Sequence, residues 1–448
     1  MTQPAPMQAM RIRVAGGLEV AVPSRVNLMT PYVLLEQEDW FEDEIGFVRR
    51  CMAPGMRALD IGANYGLYTL ALARAVGPTG RVWAVEPAST TAAFLSESVT
   101  LNGLQQVTVL QLALSDRDGL ARLRLDGNAE LNSLTAGEGH GEEVRLTTLE
   151  NLAAATGCSA LDFIKLDAEG EEERIVSGGS GFLSRDNPLV MFEIKHGDKL
   201  NLGLVQALGT LGYATYRLVP GPGVLVPWDP QAGTDAFQLN LFACKRPRAD
   251  ALHRAGLLAL PGEPFALPDV PAVQLHAMAH DRAHAPALRV AALRGASARF
   301  EAECATNESI YALSSCARVA AELGWRQRAV ELLSQALSRP EPYPAPSAPF
   351  LPGSSHFDAV AAAVDTTGWV RAALLDRYVE LASFSTYFAP PTMLQNLEVL
   401  KSLGHMRPAM ERRRQLMRMM QGLQAGPVPD AAFAPGLGGT LNPGIWGA

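Results

Sequence analysis

The stretch Ala58-Leu-Asp-Ile-Gly-Ala-Asn-Tyr-Gly-Leu67, followed directly by the apolar run Tyr68-Thr-Leu-Ala-Leu-Ala-Arg-Ala-Val76, decides the fold class of this chain. An apolar strand that ends in an acid, turns through Gly62 and Gly66, and continues as an Ala/Leu-rich helix is typical of the first βα turn of a nucleotide-binding sheet. The sequence therefore predicts an α/β fold, a doubly wound Rossmann-like sheet, with a ligand bound at this turn.

Two ligands compete for the turn, a dinucleotide and S-adenosylmethionine. A dinucleotide turn needs glycine where Asn64 and Leu67 stand, because the backbone must approach a pyrophosphate closely, and Asp60 would repel that pyrophosphate. S-adenosylmethionine carries an ammonium and a sulfonium, which a carboxylate stabilises through charge-assisted hydrogen bonds. The pattern Asp60-x-Gly62-x-x-x-Gly66 therefore favours S-adenosylmethionine.

A second acidic strand end follows in Arg81-Val-Trp-Ala-Val-Glu-Pro87. In a doubly wound sheet this strand lies beside the first, so the Glu86 carboxylate is placed to accept hydrogen bonds from the ribose hydroxyls. We expect Glu86 and Pro87, together with Asn64 of the first turn, to bind the cofactor. The alternative is that Glu86 is a solvated acid at a strand end.

The third predicted strand, residues 107–114, runs into Ser115-Asp116. In this fold class the end of that strand lies against the adenine, whose amino group and ring nitrogen can be bound by an acid and a backbone amide. Ser115 and Asp116 are therefore candidate cofactor ligands. The segment Ser-Asp-Arg-Asp-Gly is equally consistent with an ordinary turn.

The stretch Asp162-Phe-Ile-Lys-Leu-Asp-Ala-Glu-Gly170 places two acids just after a central strand, where open α/β sheets bind ligands. Methyl transfer to a hydroxyl needs an aligned nucleophile and a base or a metal that removes its proton. Asp167 and Glu169 supply carboxylates for either task, or else they cap the following helix. Lys165 either orients these acids or is an ion-paired structural lysine.

The next apolar strand, residues 189–194, carries Glu193 near its end, with His196 just beyond. A buried carboxylate beside a histidine suits proton abstraction. Asp167 and Glu193 would also offer oxygen ligands to Mg²⁺ or Mn²⁺, whereas a single histidine argues against zinc there.

Together these motifs resemble the FkbM-type family of S-adenosylmethionine-dependent methyltransferases. The matching stretches occur in order and are Asp60-Ile-Gly-Ala-Asn-Tyr-Gly66, Val85-Glu-Pro87, Ala113-Leu-Ser-Asp116, Asp162 to Gly170 and Phe192-Glu193, with a lead-in of Trp40-Phe-Glu-Asp-Glu44 and Pro54-Gly55. The resemblance covers roughly residues 20–245 and leaves residues 250–448 unaccounted for.

The resemblance implies a seven-stranded class I methyltransferase sheet whose last strands are an antiparallel pair. It also implies that a helical segment at residues 32–50 caps the cofactor face, where Tyr32 or Trp40 lies over the site or belongs to the core. The implied activity is methyl transfer to a hydroxyl of a sugar or glycan intermediate. Two alternatives remain: methylation of a peptide or natural product at nitrogen or carbon, and an inactive scaffold that recruits glycan-assembly enzymes.

Composition bounds the class of protein. The chain has 448 residues, 48% of them hydrophobic, and a net charge of −8, which predicts an ordinary globular protein of two or more domains. It has no basic stripe, so nucleic acid is not an expected partner. Five scattered cysteines, no signal pattern and no membrane-spanning run predict a cytoplasmic protein, and the scarcity of lysine is typical of a GC-rich bacterial genome.

We expect five segments along the chain. These are an N-terminal hairpin and helical cap (1–50), the methyltransferase domain (51–248), a linker (249–305), a helical domain (306–424) and a Gly/Pro-rich tail (425–448). Inside the second segment, residues 126–143 form a polar excursion that predicts a mobile lid or filler, with Asn132 and Ser133 facing substrate.

The helical segment is expected to carry interactions. Helices around Leu323-Gly-Trp325 resemble one tetratricopeptide-like pair, and residues 397–420 resemble a degenerate second pair. Such repeats need stacked neighbours, which predicts packing on the catalytic domain, on a protein partner or on a second copy of the chain. The linker histidines, among them His276, His280 and His284, are expected at the surface, since no His-Glu-x-x-His pattern occurs.

Overall fold

The computed structural model describes residues 8–126, 128–135, 141–196, 199–262, 265–306, 309–358 and 366–423. The predicted tail and most of the N-terminal leader lie outside the described residues. The chain divides into two compact units. The first comprises the described residues up to Arg217 together with Leu239–Leu252, and the second comprises Leu218–Gln238 and the described residues from His253 onwards.

The strands are described first, in chain order. They are β1 (Ala9–Val14), β2 (Leu18–Pro23), β3 (Arg57–Ile61), β4 (Arg81–Val85), β5 (Val107–Leu110), β6 (Ala113–Leu114), β7 (Gly119–Arg124), β8 (Ser133–Thr135), β9 (Glu142–Thr147), β10 (Phe163–Leu166), β11 (Leu189–Glu193), β12 (Lys195–His196), β13 (Lys199–Leu200), β14 (Ala214–Val219), β15 (Val224–Pro227) and β16 (Asn240–Cys244).

The α-helices are also given in chain order. They are α1 (Met29–Gln37), α2 (Asp43–Cys51), α3 (Leu67–Val76), α4 (Ser89–Leu101), α5 (Leu149–Thr156), α6 (Glu172–Gly178), α7 (Ser180–Arg185), α8 (Leu202–Thr210), α9 (Arg246–Arg254), α10 (Ala272–His280), α11 (Pro286–Thr306), α12 (Ile310–Glu322), α13 (Arg326–Leu337), α14 (Thr366–Leu381), α15 (Met393–Ser402) and α16 (Pro408–Met420).

The N-terminal elements match the sequence prediction. Strands β1 and β2 pair as an antiparallel hairpin, with Met10 opposite Val22. Two helices, α1 and α2, follow and account for the helical segment expected at residues 32–50.

The largest sheet has the order β15-β14-β16-β11-β10-β3-β4-β5. Strands β5, β4, β3, β10 and β11 run parallel, and β16 is antiparallel to both β11 and β14, as predicted for the last pair. The seven expected strands are β5, β4, β3, β10, β11, β16 and β14, and β15 adds an eighth strand beyond β14.

The central strands are apolar because both faces of the sheet are covered. Leu59 on β3, Phe163 on β10 and Met191 on β11 are fully buried. The chain passes from β3 through α3 to β4 on one side, whereas β10 lies on the other side of β3. The carboxyl ends of β3 and β10 therefore flank a topological switch point, which is where open α/β sheets bind ligands.

The third predicted strand, residues 107–114, is in fact two strands in different sheets. Strand β5 joins the large sheet, whereas β6 joins a four-stranded sheet of order β6-β9-β7-β8. The predicted excursion at 126–143 is partly built into this second sheet, because β8 pairs with β7. Residues 127 and 136–140 of the excursion lie outside the described residues.

The second unit is helical. Residues 249–305 contribute to its core, so the prediction that they form a linker is wrong. Leu275 of α10 and Leu293 of α11 are buried in the same apolar cluster as Val319, Leu333 and residues of α14. Apolar side chains that share one core belong to one folded unit, so these helices are not a connecting segment. Residues 218–238 also belong to this unit and not to the first one.

Two predicted features of the helical region have different outcomes. The helices expected around residues 323–325 are present as α12 and α13, and the Ser309 hydroxyl caps α12 by accepting a hydrogen bond from the Ala312 N–H at 3.1 Å. The tetratricopeptide-like character and the expected partner or second copy stay predictions.

Among the described helices, none combines the length and apolar character that a bilayer crossing requires.

Candidate functional site

A cavity lies at the carboxyl ends of the central strands of the first unit. Its lining includes most of the predicted cofactor ligands and four of the five predicted catalytic residues. These are Asp60, Gly62, Asn64, Glu86, Pro87, Lys165, Asp167, Glu169 and Glu193.

Asp60, the last residue but one of β3, has a fully buried carboxyl group, and one of its oxygens has no partner among the described residues. The Thr69 hydroxyl donates to Asp60 Oδ2 at 2.6 Å, whereas Oδ1 is buried without a hydrogen-bond partner. Burial raises the pKa of Asp60, and the nearby charge of Lys165 opposes that rise. A cationic donor placed in the cavity would satisfy Oδ1 and stabilise the charged carboxylate.

The turn after β3 can only be built with glycine at two positions. Gly62 has φ +73°, and a Cβ there would lie 1.7 Å from the carbonyl oxygen of Asp167. Gly66 has φ +96°, and a Cβ there would lie 2.4 Å from Leu95 Cδ1. The first glycine thus lets the β3 turn approach the end of β10, and the second lets α3 begin close to α4.

Glu86 links the first turn to the end of β4. Its Oε2 accepts a hydrogen bond from the Asn64 N–H at 2.9 Å, and its Oε1 accepts one from the Ala88 N–H at 2.9 Å. Burial raises the pKa of Glu86 to about 7, although these two hydrogen bonds oppose the rise. Each oxygen keeps a second lone pair that a hydroxyl donor in the cavity could use.

The residues of this half of the cavity fit S-adenosylmethionine. An unpaired buried acceptor at Asp60, a second orphaned oxygen at Asn64 Oδ1 and a glycine turn without side-chain bulk are the features that a cationic nucleoside requires.

The predicted adenine ligands are placed differently. At the end of β6 the cavity is lined by Ala113 and Leu114. The Ser115 hydroxyl donates to Glu171 Oε2 at 2.8 Å, and the exposed Asp116 pairs with Arg117 at 3.1 Å. Their role in adenine binding stays a prediction.

Lys165 is the cation that interacts with the acids of the cavity. Its Nζ donates to Asp167 Oδ2 at 2.7 Å and lies 5.2 Å from the centre of the Tyr68 ring. Burial alone would lower the pKa of Lys165, but the charges of Asp167, Asp60 and Glu42 outweigh burial and raise it. Lys165 is therefore a permanent cation that orients acids, and it cannot act as a base at neutral pH.

Glu169 and Glu193 are partly buried carboxyl groups that make no hydrogen bond within the described residues. Burial, together with the charges of Asp167 and Glu172, raises the pKa of Glu169 to about 8. Burial and the charges of Asp167 and Glu169 also raise the pKa of Glu193. Unpaired acids with raised pKa values in a cleft are typical of sites of proton transfer.

The alternative role of these acids as helix caps is not observed among the described residues, because α6 has Glu171 at its N-cap and no side-chain capping hydrogen bond. The Glu172 carboxylate accepts hydrogen bonds from the backbone N–H groups of Ala168 and Gly170 at 2.8 and 3.1 Å. Asp167 and Glu169 are thus left for the cavity. His196 lies in β12, but its side chain lies outside the described residues.

The suggested metal pair of Asp167 and Glu193 gains no support from the geometry. Asp167 Oδ2 is already bonded to the Lys165 ammonium, and a divalent cation would have to sit beside that charge. The residues described here place no third metal-ligand side chain with this pair. The magnesium or manganese site stays a prediction.

Two acids of the cavity lining, Glu42 and Glu130, were missed in the sequence. Tyr68 donates its phenolic proton to Glu42 Oε2 at 2.5 Å, and the Thr30 hydroxyl bonds to Glu130 in the excursion. Glu42 stands immediately before α2, inside the Trp40 to Glu44 lead-in, so the resemblance contained the signal. Glu130 carried no signal, because an acid in a polar loop is ordinary.

The capping segment contributes one of its two predicted aromatic residues. Trp40 lines the cavity beside Phe41, at 4.5 Å between ring centres. Tyr32 is buried, at 1% exposure, and belongs to the core.

The fold and this site together define the class. A mixed sheet with a glycine turn after its central strand, and acids at the ends of the neighbouring strands, is the Rossmann-like arrangement of nucleotide-cofactor enzymes. Residues 60–215 match the family model described as the methyltransferase FkbM domain. The predicted resemblance to the FkbM-type family is therefore confirmed over these residues.

Two solved structures with which the chain has similarity are methyltransferases by name. Methyltransferase FkbM from Methylobacillus flagellatus KT is 17% identical, with a TM-score of 0.31, over 42% of this chain and 43% of that one. The chain thus spans less than half of that relative. A S-adenosylmethionine-dependent O-methyltransferase from Thermotoga maritima is 16% identical, with a TM-score of 0.28, over 54% of this chain and 94% of that one. No curated protein matches the chain significantly.

Proposed function

We propose that the first unit is a S-adenosylmethionine-dependent methyltransferase that methylates a hydroxyl oxygen of a sugar, a glycan or a related metabolite. The observation that carries this proposal is the composition of one cavity. The acids that suit a cationic cofactor, Asp60 and Glu86, line it together with the carboxyl groups of Glu169 and Glu193.

The cofactor, when bound, would supply a methyl group on a sulfonium centre, and the methyl–sulfur bond would break as the carbon–oxygen bond forms, leaving a neutral thioether. Asp60 Oδ1, which has no partner among the described residues, would accept a hydrogen bond from its ammonium group. Glu86 accepts hydrogen bonds from the ribose hydroxyls while the backbone N–H groups of Asn64 and Ala88 hold its carboxylate in place. Preorganised acceptors of this kind align the donor without a cost of rearrangement.

The acceptor hydroxyl loses its proton to a carboxylate of the site. A sugar hydroxyl is a weak acid, so its oxygen becomes a good nucleophile only when a base accepts the proton as the new carbon–oxygen bond forms. Among the described residues, Glu169 and Glu193 have carboxyl groups without a hydrogen-bond partner, whereas the Lys165 ammonium bonds to Asp167. The proton moves from the hydroxyl oxygen to a carboxylate oxygen of Glu169 or Glu193.

The charge of the lining supports a neutral, hydroxyl-rich acceptor. Carboxyl groups outnumber the single lysine in the lining, which includes Glu42, Asp60, Glu86, Glu130, Asp167, Glu169, Glu171, Glu193 and Lys165. Carboxylates accept hydrogen bonds from hydroxyl groups, and they repel phosphate and carboxylate groups. The same lining would tolerate an amine, so a peptide or natural product methylated at nitrogen is the competing acceptor.

Two measurements test the proposal. Calorimetric titration of the full chain with S-adenosylmethionine is expected to show one site, and absence of binding would favour the inactive scaffold instead. Methyl-labelled cofactor is then incubated with neutral oligosaccharides, anionic sugars and peptides, and the labelled atom is located by mass spectrometry and NMR. An O-methyl ether on a neutral sugar supports the proposal, and a label confined to nitrogen or carbon contradicts it.

A further inference from the structure

Three side chains of metal-ligand type converge within the second unit. His276 and His280 lie on α10, and Glu322 is the last residue of α12. Glu322 Oε2 is 2.7 Å from His276 Nε2 and 3.1 Å from His280 Nε2. All three ligand atoms lie within 4.8 Å of one another.

The convergence follows from the spacing of the two histidines along one helix. Residues four apart share a helix face, and the two imidazole rings are 4.6 Å apart between centres. The expected surface location is wrong for His276, which is 8% exposed. Helix α10 ends at His280, and His284 lies beyond it, 3.8 Å from Asp281.

The other oxygen of Glu322 is fixed by a buried arginine. Arg318 Nε donates to Glu322 Oε1 at 2.7 Å, and its two terminal nitrogens donate to Asp358 at 3.0 and 2.9 Å. The guanidinium therefore orients the Glu322 carboxylate, and Asp358 balances its charge. With neutral histidines, these two acids and one arginine leave a net charge of −1 that a cation would offset.

We propose that His276 Nε2, His280 Nε2 and Glu322 Oε2 bind one divalent transition-metal ion, and that the expected metal is Zn²⁺. Two histidines and one glutamate form a known zinc donor set, in which water takes the fourth position. The His280 side chain is 36% exposed, so water and the ion can reach the site from solvent. Mg²⁺ and Ca²⁺ prefer oxygen ligands, so they do not suit two imidazoles.

The ion would have a structural consequence for the second unit. Its ligands come from α10 and from the end of α12, which are separated by more than forty residues of chain. A metal that joins them stabilises the folded unit, because the site does not exist in the unfolded chain.

The competing description is a hydrogen-bonded cluster in which both imidazoles donate N–H groups to one carboxylate oxygen. Replacing His280 with glutamine distinguishes the metal site from the hydrogen-bonded cluster, because a glutamine amide donates a hydrogen bond but is a poor zinc ligand. His284→Gln is the matched control, since this nearby histidine is not part of the cluster.

The experiment uses the full chain after removal of metal with a chelator. Titration with Zn²⁺ near neutral pH is expected to show one equivalent bound by the parent protein and by His284→Gln. Binding is expected to be at least about 10-fold weaker in His280→Gln and in Glu322→Gln. No zinc binding by the parent protein, or unchanged affinity in His280→Gln, would overturn the site.

Thermal unfolding and X-ray absorption keep the proposal testable if a variant fails to fold. Zn²⁺ is expected to raise the Tm of the parent protein and not that of His280→Gln. If the variant does not fold, the zinc edge spectrum of the loaded parent protein decides the question. Two imidazole ligands are expected per ion, and fewer than two would contradict the proposal.

Discussion

Lys165 and Asp60 are register partners on adjacent parallel strands, β10 and β3, at the carboxyl edge of the central sheet. Register partners on parallel strands project to the same face, so the lysine charge lies close to the acid that ends β3. The same ammonium also bonds to Asp167. A single buried cation thus holds together the cofactor half and the acceptor half of the proposed site.

The first prediction concerns this lysine. Lys165→Met leaves Asp60, Asp167 and Glu42 without their shared cation, so we expect a loss of about 3–5 kcal/mol in the free energy of unfolding. Urea denaturation measures the loss. Lys245→Met is the control, because that lysine bonds to backbone carbonyls of Leu183 and Ser184. Equal losses in both variants would show that Lys165 holds no special charge network.

The second prediction concerns the acids of the cofactor half. Asp60→Asn keeps the size of the side chain but removes its charge, and Glu86→Gln does the same at β4. Each is expected to weaken S-adenosylmethionine binding by about 1–3 kcal/mol, which is about 5- to 150-fold in Kd. Calorimetry measures the change, and the exposed Asp250, paired with Arg246, supplies the control Asp250→Asn. Full affinity in both cavity variants removes the assignment of these acids.

The third prediction concerns the glycine turn. Gly62→Ala places a Cβ against the Asp167 carbonyl at a positive φ, so the turn must move and cofactor binding is expected to be lost. Gly103→Ala is the matched control, because Gly103 has φ +62° but open space around it. Only the cost of a left-handed alanine, about 1–2 kcal/mol, is expected there. Cofactor titration and urea denaturation are the measurements, and normal binding by Gly62→Ala would be the contrary result.

The first unit was predictable because its signals are local. The β3 turn, the acid at the end of β4 and the strand at 163–166 each combine a short apolar run with a glycine or an acid, and the sheet brings such strand ends together by topology. Contacts between residues that are far apart in the sequence carried no such signal. Glu130 reaches the cavity lining because the excursion folds back towards Thr30, which no spacing in the sequence reveals.

The second unit was poorly predicted for a related reason. Residues 249–305 are rich in alanine, proline and histidine, so their apolar period is weak, yet α10 and α11 are buried by packing against later helices. His276 shows the same limit. Its partner Glu322 is 46 residues away in the chain, and only the folded helices place the two side chains 2.7 Å apart.

The last prediction concerns the pH dependence of methyl transfer. Glu169 has a pKa of about 8, so its carboxyl group is protonated at neutral pH and becomes a base as the pH rises. If it accepts the proton of the acceptor, the single-turnover rate is expected to rise with pH up to about pH 8 and then level off. The sign for stability is the opposite. Because the folded-state pKa lies above the unfolded value near 4.3, the folded chain binds the extra proton, and stability falls as the pH rises between these values.

Glu169→Gln tests both halves of this prediction. The variant is expected to lose the rise in rate and to lose part of the fall in stability, because glutamine does not titrate. Glu173→Gln, on the exposed side of α6, is the control and should retain both dependences. If the rate of Glu169→Gln keeps its rise with pH while that of Glu193→Gln loses it, Glu193 is the base, and Glu169 only raises its pKa through the charge that it adds beside it.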